Sequence, residues 1–467
     1  MAASAKEDTH RDAWGYHFDW TPEHLTREQL RSMIYSYDEL ADECLDSLDK
    51  IASSHPAQAK ADGAPPAKHH HRDFYELLVQ HKDSDPKLQE LWQEVNTVPD
   101  WVDWDQIDRG QQMFYRYAAP SVISLTFQSL LGGMGADRVV ETLTRTGGFG
   151  AKVTRRRLLE TFQHVMDVTR DLASIQPGGK GFASSVRVRL LHASVRRRIL
   201  ALAREKPTYY DVAKNGVPVN DLDSIGTCIS FSATLVWVSL PRLGIFPRER
   251  EIVDYIALWR WVAYVLGTPT EWFTTPARAR TMMESLMLSE IAPTRTGQIL
   301  ANNIITGLEL QPPTFASADF LRATTHWLNG RELADALAVP RPSPYYFVLV
   351  AGQCLFFMVL CYTYRAVPSW DRHNIARLRR YLHRETLKQT DEVEALHQFQ
   401  YIPHFGQLTE MGESKKPKGG FWSPETGVER QYLGALMWGL LAVGVVGWVG
   451  VRERVLGIVV GSQELSE

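Results

Sequence analysis

His192 is the side chain in this sequence best placed to do chemistry. It lies in a helical run from Arg187 to Ile199. The 3.6-residue period puts Val188, Leu191, His192, Val195 and Ile199 on one stripe, with Arg189, Arg196, Arg197 and Arg198 off it. An imidazole on an apolar stripe is ordinarily a hydrogen-bonded core residue. Its other use is as a neutral nitrogen offered to a metal or to haem iron in a dry pocket. Arginines on the same helix would then suit propionates, whose carboxylates match the planar guanidinium fork.

A second group precedes it in the chain. Arg157 and Thr161 are four residues apart and share a helical face with His164, bordered by Glu160, with Leu158, Leu159, Phe162 and Val165 as apolar neighbours. Glu141 sits on a short run with Val139, Val140 and Leu143. On residue types alone, Arg157 and Glu160 read as a surface ion pair and Glu141 as a solvated carboxylate. Other chemistries are poorly served. The chain has no G-x-S-x-G elbow, no phosphate-binding glycine loop with its lysine, and no H-E-x-x-H. Gly132-Gly133-Met134-Gly135 precedes a helix, but no strand leads into it, so it fails as a dinucleotide fingerprint. His69, His70 and His71 stand in a Pro-rich stretch, 53–71, without a cysteine or carboxylate framework, and read as part of a solvated loop.

The elements that must position these groups are helices. Apolar periodicity predicts helices over 26–52, 120–131, 136–145, 153–175, 184–204, 222–241, 248–266, 276–289 and 295–306, with Gly132-Gly133, Gly147-Gly148 and 177–181 as stops or loops. Strand alternation and internal repeats are not visible. The expected fold class is all-α: an N-terminal helical extension and loop over 1–104, one large helical domain over 105–365, a basic helix and linker over 366–430, and an apolar C-terminal segment over 431–467.

Composition narrows the function. With 10% aromatic residues among 467, the chain is no solvated coil. Fifty-one basic against fifty-four acidic residues give a net charge of −3, which offers no field for nucleic acid. Four cysteines without a CxxC pair argue against a zinc knuckle or a disulfide framework. Two uncharged runs, 345–364 and 432–451, are each long enough to cross about 30 Å of hydrocarbon. The second, rich in Gly, Val and Trp, reads as a membrane anchor; the first, with Gln353 and two cysteines, reads as a core helix. Between them Arg372, His373, Arg377, Arg379, Arg380, His383 and Arg384 form a basic helix, which is either a solvated face or a membrane-facing one.

Taken in order, several pieces resemble the family of latex-clearing rubber oxygenases and MpaB-type endoplasmic-reticulum-bound oxygenases. They are Gly147-Gly148-Phe149 leading to Arg157-Leu-Leu-Glu160-Thr161, the 177–181 loop, and Arg189-Leu-Leu-His192-Ala-Ser-Val-Arg196. Gly216-Val-Pro-Val-Asn220-Asp-Leu and Leu243-Gly244-Ile245 follow as weaker matches. The resemblance covers about residues 110–350. It implies haem b held in an all-helical domain, with His192 as proximal iron ligand and Arg157 and Thr161 bordering the haem pocket. Glu141 stands where the rubber oxygenases carry a base or substrate-positioning glutamate. Glu160 departs from the family pattern, which places there a lysine able to cap the distal iron side.

The expectation that follows is a haem-dependent oxygenase. It would use O2 to cleave a C=C bond of a lipid-like, isoprenoid or polyketide-terpenoid substrate. Glu141, Arg157 and Thr161 would take part in catalysis. His192, Arg157, Thr161, Arg189 and Arg196 would hold the cofactor. The expected location is the endoplasmic-reticulum membrane, anchored through 432–451 with the catalytic domain in the cytosol. A haem peroxidase or hydroxylase in the same pocket, and a haem-free membrane-tethered interaction protein, stand as alternative readings.

Overall fold

The computed structural model describes residues 9–54, 73–146, 149–150, 153–393, 412 and 428–437, and these fold almost wholly into helices. The exception is a hairpin of β1 (His10–Ala13) and β2 (Tyr16–Asp19), with Ala13 opposite Tyr16 around Trp14-Gly15. Four-residue strands give too few positions for a period-two pattern, so alternation does not reveal them.

An N-terminal layer follows: α1 (Glu39–Ser54), α2 (Phe74–His81) and α3 (Pro86–Asn96). The single helix expected over 26–52 is broken. Arg27–Leu30 and a tight turn at Arg31–Ile34 precede α1. Between them the backbone turns outward: Val217 donates its N–H to the Ile34 carbonyl at 2.8 Å and Asp221 to that of Ser36 at 2.9 Å. Carbonyls committed to another segment are lost to the helical ladder.

The chain then runs through α4 (Trp104–Arg116), α5 (Ala118–Ser124), α6 (Asp137–Arg145), α7 (Thr154–Thr169), α8 (Lys180–Glu205), α9 (Asp221–Phe231), α10 (Glu249–Val265), α11 (Pro276–Ser289), α12 (Arg295–Leu308), α13 (Ala318–Ala336), α14 (Pro344–Ala366) and α15 (Pro368–Val393). The expected 120–131 and 222–241 helices each loosen into a wide, five-residue-bonded stretch, at Leu125–Leu131 and Leu235–Ser239. Asn329 satisfies a carbonyl of the first, donating to Phe127 O at 2.8 Å. One hydrophobic core takes in residues from Ala41 of α1 to Tyr432.

The α7–α8 pair positions the candidate site. α7 ends at Thr169, short of the expected 175, because Asp171 caps a new turn by accepting from Ser174 N at 2.8 Å. α8 begins at Lys180, so the last two residues of the expected 177–181 loop are helical. Ser174 clamps the crossing: its hydroxyl donates to Asp167 O at 2.8 Å and accepts from Gly181 N at 3.0 Å. A side chain at Gly181 would come within 2.5 Å of the Asp167 carbonyl, so glycine permits the close approach.

Arg189 and Arg196 are corrected by the structure. Expected off the buried stripe, they lie on its most enclosed line with Phe182, Val186 and Ala193, at 3% and 2% exposure. Counter-charges explain it. Arg189 donates to both oxygens of Asp38, at 2.6 and 2.9 Å, and to Glu94 at 2.7 Å. Arg196 donates to Asp42 at 2.6 Å and to the carbonyls of Asp38 and Val219 at 3.0 Å. A buried cation with several charged and polar acceptors escapes the penalty that keeps lone arginines outside.

α14 is two-sided. Leu349, Val350, Cys354, Phe357 and Cys361 enter the core, whereas Val348, Phe356, Val359 and Leu360 are exposed. Helical residues 428–437 cross it at Gly352, where Tyr432 and Leu436 pack. The rest of the 432–451 run, the histidines 69–71 and Gly147-Gly148 lie outside the described residues.

Replacing Arg189 with alanine strands Asp38 and Glu94 together and should cost about 3–5 kcal/mol of stability, the usual penalty for breaking a buried pair. A urea midpoint equal to that of the unmodified protein would contradict the role given to this pair.

Candidate functional site in the crevice between two helices

The expected residues gather on α7 and α8, with one outlier. Ser174–Gly181 and a second contact, His164 Nδ1 to Ser184 Oγ at 3.0 Å, set the two helices antiparallel. Extending that register places Thr161 level with Val188, and Arg157 level with Leu191 and His192. Ser184, Val188, Leu191 and His192 recur at helical spacing on one side of α8, and each keeps some accessible surface. On α7, Glu160, Thr161 and His164 are also only part-buried. These part-buried side chains are the expected site residues carried by α7 and α8.

His192 carries no hydrogen bond on either ring nitrogen among the described residues. It retains contactable area, yet protein surrounds it closely enough that burial, followed by the positive charge of Arg196, pushes its imidazole down to about 4.

On α7 the charges are arranged locally. Glu160 accepts from Arg157 Nη1 at 2.7 Å and from Arg156 Nε at 3.0 Å, so each carboxylate oxygen has its own guanidinium. Burial pulls the Arg157 guanidinium below the usual arginine range, and Glu160 opposes that pull. The Thr161 hydroxyl turns back to donate to the Arg157 carbonyl at 3.1 Å. Glu160 is therefore a carboxylate shared by two arginines, leaving one positive charge over, in contrast to the lysine expected there from the resemblance.

Glu141 stands apart. Its carboxylate is 2.5 Å from Arg145 Nη1, one turn along α6. No hydrogen bond joins it to α7 or α8 among the described residues. Arg145 is itself fixed by the Tyr209 carbonyl at 3.0 Å. The carboxylates Asp38, Asp42 and Glu94, which hold α8 from behind, are absent from the sequence-based site. The signal available was the excess of arginines on one helix, which needed acceptors somewhere.

The residues present fit a haem better than a metal ion bound by protein alone. Among the described residues no three His, Cys, Asp or Glu side chains cluster as a ligand set. A single neutral imidazole without a hydrogen bond, beside Val188 and Leu191, is the donor that a macrocycle-bound iron lacks.

A family profile described as "ER-bound oxygenase mpaB/B'/Rubber oxygenase, catalytic domain" matches residues 115–366. Among solved structures, one titled "Structure of Latex Clearing Protein LCP in the closed state" superposes with a TM-score of 0.55 at 19% identity, covering 79% of this chain and 93% of that one. That likeness shows the fold. No curated protein sequence matches this chain.

A folded-state value near 4 against an ordinary 6.5 means that protonating His192 opposes folding. Its penalty is absent above about pH 6.5 and grows as pH falls toward 4. Nitrogen-15 histidine spectra of the haem-free protein should show a neutral His192 ring at pH 5.5. A ring half-protonated near 6.5 would overturn the enclosure argued for it.

Proposed function

The chain belongs to the family of ER-bound oxygenases mpaB/B' and rubber oxygenases, and from that premise we propose that it is a haem b-dependent oxygenase. It cleaves a carbon–carbon double bond of a lipid-like or isoprenoid substrate with dioxygen. The observation that carries this reading is His192, an imidazole on α8 that burial holds neutral and that has no hydrogen-bond partner among the described residues. Bound haem supplies an iron centre that activates dioxygen.

The protein's own residues divide the remaining work. His192 would be the residue that holds the iron, and Arg157 and Thr161 on α7 would help hold the haem. Glu160 pairs with both Arg156 and Arg157 and offsets one of their two charges. Val188, Leu191 and Val195 on α8, with Leu158 and Phe162 on α7, provide apolar surface that excludes water. Glu141 takes a proton from an allylic carbon. Arg145 fixes one of its oxygens, and the other has no partner among the described residues. Arg189 and Arg196 are committed to Asp38, Glu94 and Asp42, and we assign them to orienting α8 in place of binding propionates. The uncharged 432–451 run anchors the chain in the endoplasmic-reticulum membrane with the catalytic domain in the cytosol.

Purified protein should show a Soret band and about one haem b per chain by pyridine haemochrome assay. His192→Ala should lose the haem, and a variant retaining full haem and turnover would sink the ligand assignment.

Glu141→Gln should keep its haem but turn over roughly 10²- to 10⁴-fold more slowly, the range for losing a positioned base. Normal rates would remove the base role. Under ¹⁸O2, two labelled carbonyl products mean cleavage by dioxygenation, and a single labelled hydroxyl would favour a hydroxylase.

A further inference from the structure

We propose that the outer side of α14 and the outer side of α15 together form a surface that lies flat on a lipid bilayer with anionic headgroups. This reading rests on neither the haem nor the oxygenase chemistry. The exposed side of α14 carries Val348 at 45%, Phe356 at 37%, Val359 at 57% and Leu360 at 38% exposure. Phe246, 61% exposed, is tied to the same end of the helix, since its N–H donates to Tyr362 Oη at 3.0 Å. Met437, 55% exposed, lies on the helical segment that crosses α14 at Gly352. Large apolar side chains exposed together mark a contact surface; scattered singly they would mean little.

α15 continues the surface with a different chemistry. Trp370, His373, Arg377, Arg380, Tyr381 and Arg384 recur at three- and four-residue spacing and are all exposed. The contrast with the other side of the helix is sharp. There Arg379 reaches Asp108 at 3.3 Å, and Asp371 is buried against Arg116 at 2.7 Å. On the outer side Arg377 donates to Asn374 and Arg380 to the Ala376 carbonyl. Arg384 has Glu385 at 3.8 Å. Among the described residues Arg377 and Arg380 have no carboxylate partner. An apolar stripe meeting an aromatic–basic stripe at Trp370 is the order of a bilayer surface: acyl chains, then the interfacial zone, then phosphates.

The packing decides between spanning and lying flat. α14 has the length and hydropathy of a membrane span, but only 39% of its apolar window is buried and the buried side is built into the core. Leu349, Cys354, Phe357 and Cys361 cannot leave that core, and Arg365 is bonded inward to Tyr117 Oη at 2.7 Å. A helix fixed along one side cannot cross a bilayer, yet its free side can sink into the boundary of headgroups and acyl chains. The uncharged 432–451 run starts on this same surface, at Tyr432 against Gly352. One lipid surface therefore receives both.

The test uses the full chain. The native cysteines are buried, so a cysteine at Val359 takes an environment-sensitive nitrobenzoxadiazole label selectively. A label at exposed Lys214 is the control. With vesicles of phosphatidylcholine and one-fifth phosphatidylserine, doxyl-lipid should quench the label at 359 at least twofold and leave that at 214 unchanged. In Arg377→Glu/Arg380→Glu, quenching at 359 should fall to the control level even if the protein still floats with vesicles. Flotation without quenching at 359 overturns the proposal, because another segment alone then holds the membrane. Equal quenching in pure phosphatidylcholine, unaffected by the charge reversals, overturns the role of α15. A blue shift that rises with protein concentration in the absence of lipid overturns it in favour of a second copy of the chain.

Discussion

The site depends on two buried arginines that do not belong to it. Arg189 and Arg196 are seven residues apart on α8, and both are neutralised by the segment that leads into and begins α1. That pairing fixes the rotation of α8 about its own axis. Once Arg189 and Arg196 must point toward Asp38 and Asp42, helical geometry places His192 at the edge of the buried stripe. A rotation of one residue would spend the imidazole on the core or expose it to water. Breaking a buried pair leaves an uncompensated charge behind, so the setting is held far more firmly than apolar packing alone would hold it.

The N-terminal layer is thus part of the machinery of the crevice, even though the family profile begins at residue 115. Asp38, Asp42 and Glu94 precede that boundary. Gly267 lets the ion pair sit against the end of α10, where a side chain would collide with Arg189 and Asp38. On α7, Glu160 joins Arg156 and Arg157 in a local ion-pair cluster of its own.

Much of this was legible in the sequence. Periodicity located α6, α10, α11 and α12 within a few residues, because capping residues such as Thr275 before Pro276 and Thr294 coincide with the apolar pattern. Motif order singled out Arg157, Thr161 and His192, which stand on the neighbouring helices α7 and α8. What failed was what depends on partners distant in sequence. The burial of Arg189 and Arg196 requires carboxylates more than ninety residues away. The break before α1 requires acceptance of N–H groups from Val217 and Asp221. The two-sidedness of α14 was hidden because all its faces are apolar, so hydropathy could not say which would stay outside.

The widened turns at Leu125–Leu131 and Leu235–Ser239 bear on how this chain tolerates changes in length. Each holds one residue more than an ordinary helical turn would need. That surplus shifts the phase of everything downstream by about 100°, carrying Gly132 under Asn329 in the first case. A relative lacking one residue in either stretch would wind as plain α-helix and present a different side chain at each later position. Alignments through these stretches therefore have a structural reason to carry single-residue gaps inside helices, where gaps are usually treated as errors.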